Sequence, residues 1–277
     1  MDTILNMKLL SIDVGIKNLA YCLMEGSDIL AWDVINLCGE EPICSEECKK
    51  KAKFAHTNKY YCQLHAKKTG LIIPTATFSL KKIKKMKLAE LRQVQQDYKI
   101  TISADCVKKE DILKAVIAFM EKTMLSSVNS LKANDMDLIM IGIAMRKAFD
   151  NQLQLHLSTI EQIVIENQIS PIANRMKTLQ GMIAQYFIMR DKTKIVFVSA
   201  ANKLKGHTLV DAEGEIKEVD TSDYASRKKE GIKVTLKLLI ETPSLSLWTT
   251  YFNSHKKKDD LADSFLQGVW YVNSLTA

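Results

Sequence analysis

"KLLSIDVG", residues 8–15, is the stretch on which the fold turns. It is a compact apolar run that closes on an acid and a glycine turn, and it reads as a buried strand. Two more strands follow, "NLAYCLME" (18–25) and "DILAWDVINL" (28–37), with the short turn "GSD" between them. That spacing predicts a hairpin. Three consecutive strands, the first of them very apolar, predict a mixed sheet with the first strand at its centre.

The pattern then breaks. Residues 38–70 are polar, rich in Cys and Lys, and lack helical or strand periodicity. "SLKKIKKMKLAELRQVQQDYKI" (79–100) and "KKEDILKAVIAFMEKTML" (108–125) follow. Leu88, Leu91, Val94 and Tyr98 fall at helical spacing in the first, and Ile112, Val116, Ile117 and Met120 in the second. Residues 38–130 are therefore expected to form an insertion in two parts, 38–70 and 71–130, within a core made of 1–37 and 131–277. The sheet-type pattern returns after it. "MDLIMIGIAMRKAFDNQLQ" (136–154) reads as a helix, "TIEQIVIENQ" (159–168) as a strand, "NRMKTLQGMIAQYFIMR" (174–190) as an apolar helix and "TKIVFVSA" (193–200) as a strand. Strand, helix, strand at that spacing is a crossover joining parallel strands. Residues 202–229 are expected to be loop, and 257–273 a closing helix.

Composition bounds the function classes. The chain has 277 residues and 47% hydrophobic content, enough for a sizeable core. With 39 Lys+Arg against 32 Asp+Glu, the formal charge is +7, which points to a polyanionic partner only if it clusters. No apolar run approaches the roughly 20 residues that span a bilayer. The N-terminal residues lack signal-peptide and transit-peptide character, so an intracellular setting is expected, with the compartment open. Six cysteines in that setting argue for free thiols or a metal rather than a disulfide framework.

Acids stand where core elements end. Asp13 closes the first strand ahead of Gly15, Glu166 ends "IVIE", and Asp260 and Asp263 lie three apart on the last helix, so they project from one face. Hard oxygen ligands gathered from separate elements are what Mg²⁺ or Mn²⁺ requires. Two such ions a few ångströms apart can activate water and stabilise a leaving oxygen in phosphodiester hydrolysis. Lys256, Lys257 and Lys258 precede the acid pair. A cation is mildly disfavoured at a helix start, which makes phosphate a better target for them than the acids. Taken singly, an acid at a strand end is an ordinary turn residue, and the "DVG" turn also occurs in actin-like and sugar-kinase-like ATPases. Their order along the chain is the more specific signal.

Together, "SIDVGIKNLAYC" (11–22), "IVIENQISPIANRMKTLQGMI" (163–183) and "KKKDDLADSFLQG" (256–268) resemble the RuvC-type Holliday junction resolvases, in the branch shared by fungal mitochondria, poxviruses and other large DNA viruses. The resemblance covers about 50 residues in three blocks. It implies an RNase H-like α/β fold and a homodimer that nicks four-way DNA junctions symmetrically with Mg²⁺. By motif, Asp13, Glu166, Asp260 and Asp263 would be both the catalytic acids and the metal ligands. Asp259 is the ambiguity, and helical spacing favours the 260/263 pair. Arg175 and Lys203 join Lys256–Lys258 as candidates for DNA phosphates.

Two features lie outside that pattern. "CSEECKKKAKFAHTNKYYCQLH" (44–65) offers Cys44, Cys48, Cys62 and His65, a plausible tetrahedral Zn²⁺ set, with His56 and Cys38 as substitutes. Metal binding there would keep a core-poor segment folded. The other reading is scattered thiols in a solvated loop. Ahead of the helical pair, Lys81, Lys82, Lys84, Lys85 and Lys87 crowd into seven residues. This segment resembles a SAP-type helix-turn-helix DNA-binding motif. Beside a nuclease core, phosphate contact outweighs the reading of a charged solvated helix. Two rivals to the nuclease remain. An ATPase would need a further glycine-rich phosphate loop, whereas the chain has 10 glycines and no cluster of them. A non-catalytic zinc protein that binds DNA would be told apart by acid substitutions.

Overall fold

The computed structural model describes residues 6–102, 108–128, 131–169, 174–210, 215–219 and 223–276. The chain divides into two compact units, Met1–Gly39 with Leu131–Ala277, and Glu40–Ser130. In the first, β1 (Lys8–Asp13), β2 (Leu19–Glu25) and β3 (Asp28–Ile35) form an antiparallel meander. The turn between β2 and β3 carries Gly26 at φ +59°, a left-handed conformation that glycine adopts without steric cost.

The second unit begins with a segment lacking regular structure and continues into β4 (Phe54–His56), β5 (Lys59–Tyr61) and the single turn α1 (Gln63–Ala66). Helices α2 (Leu80–Ile83), α3 (Leu88–Asp97) and α4 (Lys109–Thr123) follow, and β6 (Ser126–Ser127) closes it. β4 pairs antiparallel with both β5 and β6, so the Cys/His segment and the helical segment share one small sheet. Of the positions that periodicity marks, Leu91 and Val94 of α3 pack with Ile112, Val116 and Met120 of α4, Tyr98 and Ile117 are partly buried against them, and Leu88 is exposed. Residues 103–107, with Cys106, lie outside the described residues. Residues 40–130 hold 18 Lys+Arg and 10 Asp+Glu, against 21 and 22 elsewhere, so all of the basic excess belongs to this unit.

Back in the first unit come α5 (Leu138–Gln152), β7 (Gln162–Glu166), α6 (Asn174–Ile188) and β8 (Ile195–Val198). β1 pairs parallel with β7, and β7 parallel with β8, giving a five-stranded mixed sheet in the order β3-β2-β1-β7-β8. The expected α/β class is therefore present, with β1 at the centre. Because strand side chains alternate, Leu10, Ile12, Ile163 and Ile165 face a layer containing Phe149 of α5 and Phe187 of α6. Leu9 and Val164 face the opposite layer.

Residues 202–229, expected as loop, contain the short hairpin β9 (Thr208–Val210) and β10 (Ile216–Glu218) and the start of α7 (Tyr224–Glu241). The first turns of α7 are charged, and its buried stripe of Val234, Thr235 and Leu239 comes only later, which hid its beginning. Then follow α8 (Trp248–Ser254) and α9 (Lys258–Thr276). No described helix is long and apolar enough to cross a membrane.

Helix α9 lies close on the sheet. A Cβ on Gly268 would stand 2.8 Å from Met24 Sδ, 3.2 Å from Ser11 Cβ and 3.3 Å from Leu9 Cδ2. Gly268→Val should therefore overpack the interface and cost about 2–3 kcal/mol in urea unfolding. Gly142→Ala, whose Cβ meets only the flexible end of Met182, should stay within about 1 kcal/mol of wild type.

Candidate active site

The parallel pairing of β1 and β7 brings two acids together. Ile12 stands opposite Ile165, so Asp13 and Glu166, the next residues along, leave the sheet side by side at the same edge. Gly15 permits the turn that follows. A Cβ there would lie 2.2 Å from the Asn18 carbonyl oxygen, which no side chain could tolerate. Helix α9 supplies the remaining acids from its first turns, and two side chains hold it in place. Gln267 Nε2 donates to Ser11 Oγ (3.1 Å), Ile12 O (3.1 Å) and Val164 O (3.3 Å). Trp32 Nε1 donates to the Leu261 carbonyl (3.0 Å).

At the centre stands Lys203. Its ammonium lies 3.0 Å from Asp13 Oδ1, 3.2 Å from Glu166 Oε1 and 3.4 Å from Asp263 Oδ2. The residue is only 5% exposed. Lys203, a candidate for DNA phosphates from the sequence, is buried in the acid cluster, where an ammonium removed from water must be paired. A single lysine after a strand in an alanine-rich stretch gives no local sign of this.

The remaining acids separate by partner. Asp259 pairs with Lys228 of α7. Burial works against its charge, but the Lys228 ammonium outweighs burial and holds the carboxyl below its ordinary pKa. Lys257 Nζ lies 3.6 Å from Asp260 Oδ2, beyond hydrogen-bond distance, and that buried oxygen has no hydrogen-bond partner among the described residues. Burial, with Asp259 adding, raises its pKa. Burial also raises Glu166 to about 7, with Asp13 adding and Lys203 opposing. Asp263 rises to about 6, again through burial, with Lys203 opposing and Asp13 adding. Glu166 is steadied from behind. Gln168 Nε2 donates to its Oε2 (2.7 Å), and the Gln168 backbone N–H donates to the buried Gln180 Oε1 (2.8 Å).

Of the three lysines at the start of α9, Lys257 alone has a described pairing to an acid of the group; Lys256 is exposed and Lys258 half-buried. Arg175 donates to the Met136 carbonyl. Lys81, Lys82, Lys84, Lys85 and Lys87 are all exposed in the second unit. The acids open onto a cleft that is also lined by Tyr224, Arg227 and Lys228.

The raised acids make a sign-definite prediction. A carboxyl with a folded pKa above its unfolded value contributes stability at low pH, and that contribution is lost as pH rises through the folded pKa. For Glu166 the window runs from 4.5 to about 7. In chelator, the melting temperature should therefore fall as the pH is raised from about 4.5 to 7. Glu166→Gln should flatten that slope in differential scanning calorimetry.

The second unit carries a separate cluster. Cys44, Cys48, Cys62 and His65 offer ligand atoms that all lie within 4.8 Å of one another, so they could hold a metal ion such as zinc. Cys44 Sγ lies 3.3 Å from His65 Nδ1, Cys62 Sγ 3.6 Å from the same atom, and the sulfurs of Cys48 and Cys62 are 3.8 Å apart. Tetrahedral zinc with its usual bond lengths sets S···S at about 3.8 Å and S···N at about 3.6 Å. The chain reverses between Cys44 and Cys62 through Glu47 (φ 31°) and Lys49 (φ 53°). Cys38, a possible substitute ligand, is packed in the core of the first unit instead. Metal analysis of purified protein should give about one zinc per chain. Cys62→Ser should lose it and lower the unfolding temperature of the second unit; a fully folded, zinc-free wild type would count against the site.

No protein-family model matches the chain. Among curated proteins it is similar to the uncharacterised protein L451 of Acanthamoeba polyphaga mimivirus, 27% identical over 245 residues. That match covers 81% of this chain and 46% of L451, so the chain spans about half the length of the curated relative it matches. Among solved structures, it aligns with the yeast mitochondrial Holliday junction resolvase Ydc2 over 98% of this chain and 83% of that one, at 15% identity and a TM-score of 0.40.

Proposed function

We propose that the chain is a metal-dependent endonuclease of RNase H-like architecture that cuts branched DNA and resolves four-way junctions by paired nicks. The observation that carries this reading is the convergence of Asp13, Glu166, Asp260 and Asp263, from three separate elements, on one open cleft. A stability role alone does not account for it, since burial raises the pKa of three of the four. Arrangements that shift carboxyl pKa values in a cleft are typical of working sites.

The donor set fits Mg²⁺ or Mn²⁺. It consists of hard carboxylate oxygens, and the buried Asp260 Oδ2 has no hydrogen-bond partner among the described residues, only the Lys257 ammonium at 3.6 Å. When bound, such ions supply an activated water and neutralise charge on the phosphate. Asp13 and Glu166 hold their oxygens on the rigid ends of paired strands, and Gln168 orients Glu166. Lys203 keeps the carboxylates together in the metal-free chain. It also lines the cleft, where its ammonium is placed to donate to a non-bridging phosphate oxygen as negative charge builds there. Arg227 and Lys228 extend that positive lining toward the neighbouring phosphates. Exposed Lys81, Lys82, Lys84, Lys85 and Lys87 give the second unit its affinity for the DNA backbone.

Two symmetric cuts need two sites in fixed relation, which a twofold homodimer supplies. Tyr186 and Phe187 of α6 are core residues, but Ile188 at its end and the following Met189 are exposed and offer one apolar surface for it. Helix α5 offers another, with Ile139 and Ile143 exposed one turn apart.

The test is cleavage of a four-way junction against linear duplex, with Mg²⁺ and with chelator. Asp13→Asn, Glu166→Gln and Asp263→Asn should each reduce the cleavage rate by at least about 10³-fold while leaving junction binding intact or tighter. Lys203→Gln should lower the rate by about 10²-fold or more. Full activity in any acid variant removes that residue from the site, and wild-type protein inert on every branched substrate ends the nuclease reading.

A further inference from the structure

Tyr224 is 66% exposed, yet it sits among charges. It lines the cleft together with Asp13, Glu166, Asp260 and Asp263, and with Lys203, Arg227 and Lys228. Exposed tyrosines are ordinary on protein surfaces. This one differs in how firmly it is held. It is the first residue of α7, and Asp223 caps that helix by accepting from Ala225 N (2.7 Å), Ser226 N (2.9 Å) and Ser226 Oγ (2.8 Å). The helix is anchored further along by Val234 and Leu239 in the core. Lys228, one turn on, stands 5.0 Å from the centre of the tyrosine ring and pairs with Asp259, tying the ring to the acid-bearing helix α9.

A rigid aromatic face beside phosphate-seeking cations has an evident partner in DNA. Every base has a π-face, and in branched DNA the bases at the branch point are free to unstack. Tyr224 shares the lining of this cleft with the acids and Lys203, so a phosphate held by them would bring an adjoining base within its neighbourhood. We propose that Tyr224 is the specificity-determining residue of this cleft. Its ring stacks on a nucleobase adjoining the scissile phosphate and selects which steps are cut. This rests on the nuclease reading above and adds to it a residue that no motif in the chain marks.

The experiment uses the full chain, four-way junctions of varied sequence, and Tyr224→Ala, Tyr224→Phe and Tyr224→Trp. Because the side chain is exposed, all three should fold with unchanged melting temperature. Tyr224→Ala should cut the preferred step on the order of 10- to 100-fold more slowly, the range expected for losing one base–aromatic stack, and its cuts should spread over more steps. Tyr224→Phe and Tyr224→Trp should rescue both rate and cut pattern, because the ring and not the hydroxyl does the stacking. Tyr224→Ala that cuts at the wild-type rate and steps overturns the proposal, and so does Tyr224→Phe that fails like Tyr224→Ala. A second readout separates this inference from the nuclease reading. With 2-aminopurine at the branch point and no divalent metal, binding should quench the probe for wild type and Tyr224→Phe but not for Tyr224→Ala. Equal quenching in all three overturns the stacking role even if cleavage is seen, whereas absent cleavage with the expected quenching overturns only the nuclease reading.

Discussion

One buried ammonium holds this site together. Asp13, Glu166 and Asp263 come from β1, β7 and α9, and Lys203 Nζ lies within 3.4 Å of an oxygen of each. Three carboxylates gathered at the edge of a hydrophobic sheet would otherwise repel or take up protons. The cation resolves that conflict in part. Glu166 and Asp263 still sit well above their ordinary pKa values, because burial outweighs the cation's pull. The site is thus left short of positive charge, which the proposed divalent ion would supply.

The rest of the first unit serves this geometry. The parallel pairing of β1 with β7 sets Asp13 beside Glu166, and a two-residue slip would separate them by roughly 7 Å. Helix α9 has to keep a fixed register on the same sheet for Asp260 and Asp263 to reach them. Gly268 allows the close approach, while Gln267 and Trp32 supply hydrogen bonds from within the apolar layers. A purely apolar interface could slide; a buried amide that bonds two strands cannot do so without losing its partners. Helix α7 adds Lys228, which draws Asp259 aside and leaves Asp260 and Asp263 to the cleft.

The second unit answers a different constraint. It holds all of the basic excess, and its β4–β5 hairpin and short α1 have few large apolar residues to bury. A Cys₃His cluster that could hold a metal ion offers a way to order such a segment. The three-stranded sheet then joins the cluster to the helical pair, whose own core is formed by α3 and α4.

Much of this was legible in the sequence, and the reason is locality. The apolar run before Asp13, the β-branched run before Glu166, the three-residue spacing of Asp260 and Asp263, and the close spacing of Cys44, Cys48, Cys62 and His65 are short-range patterns. Backbone periodicity turns each of them directly into a shared edge, face or knuckle. The role of Lys203 was not legible, because its partners lie 190 and 37 residues away along the chain. Nor was the sorting of the doubled acid, since it depends on Lys228 from another helix, nor the place of Tyr224, whose helix begins in a polar stretch without an apolar stripe. Sequence alone determined which groups could do chemistry. Only tertiary structure decided which charges meet, because the pairing of buried charges follows from the desolvation of distant side chains packed against one another, and no local pattern encodes that.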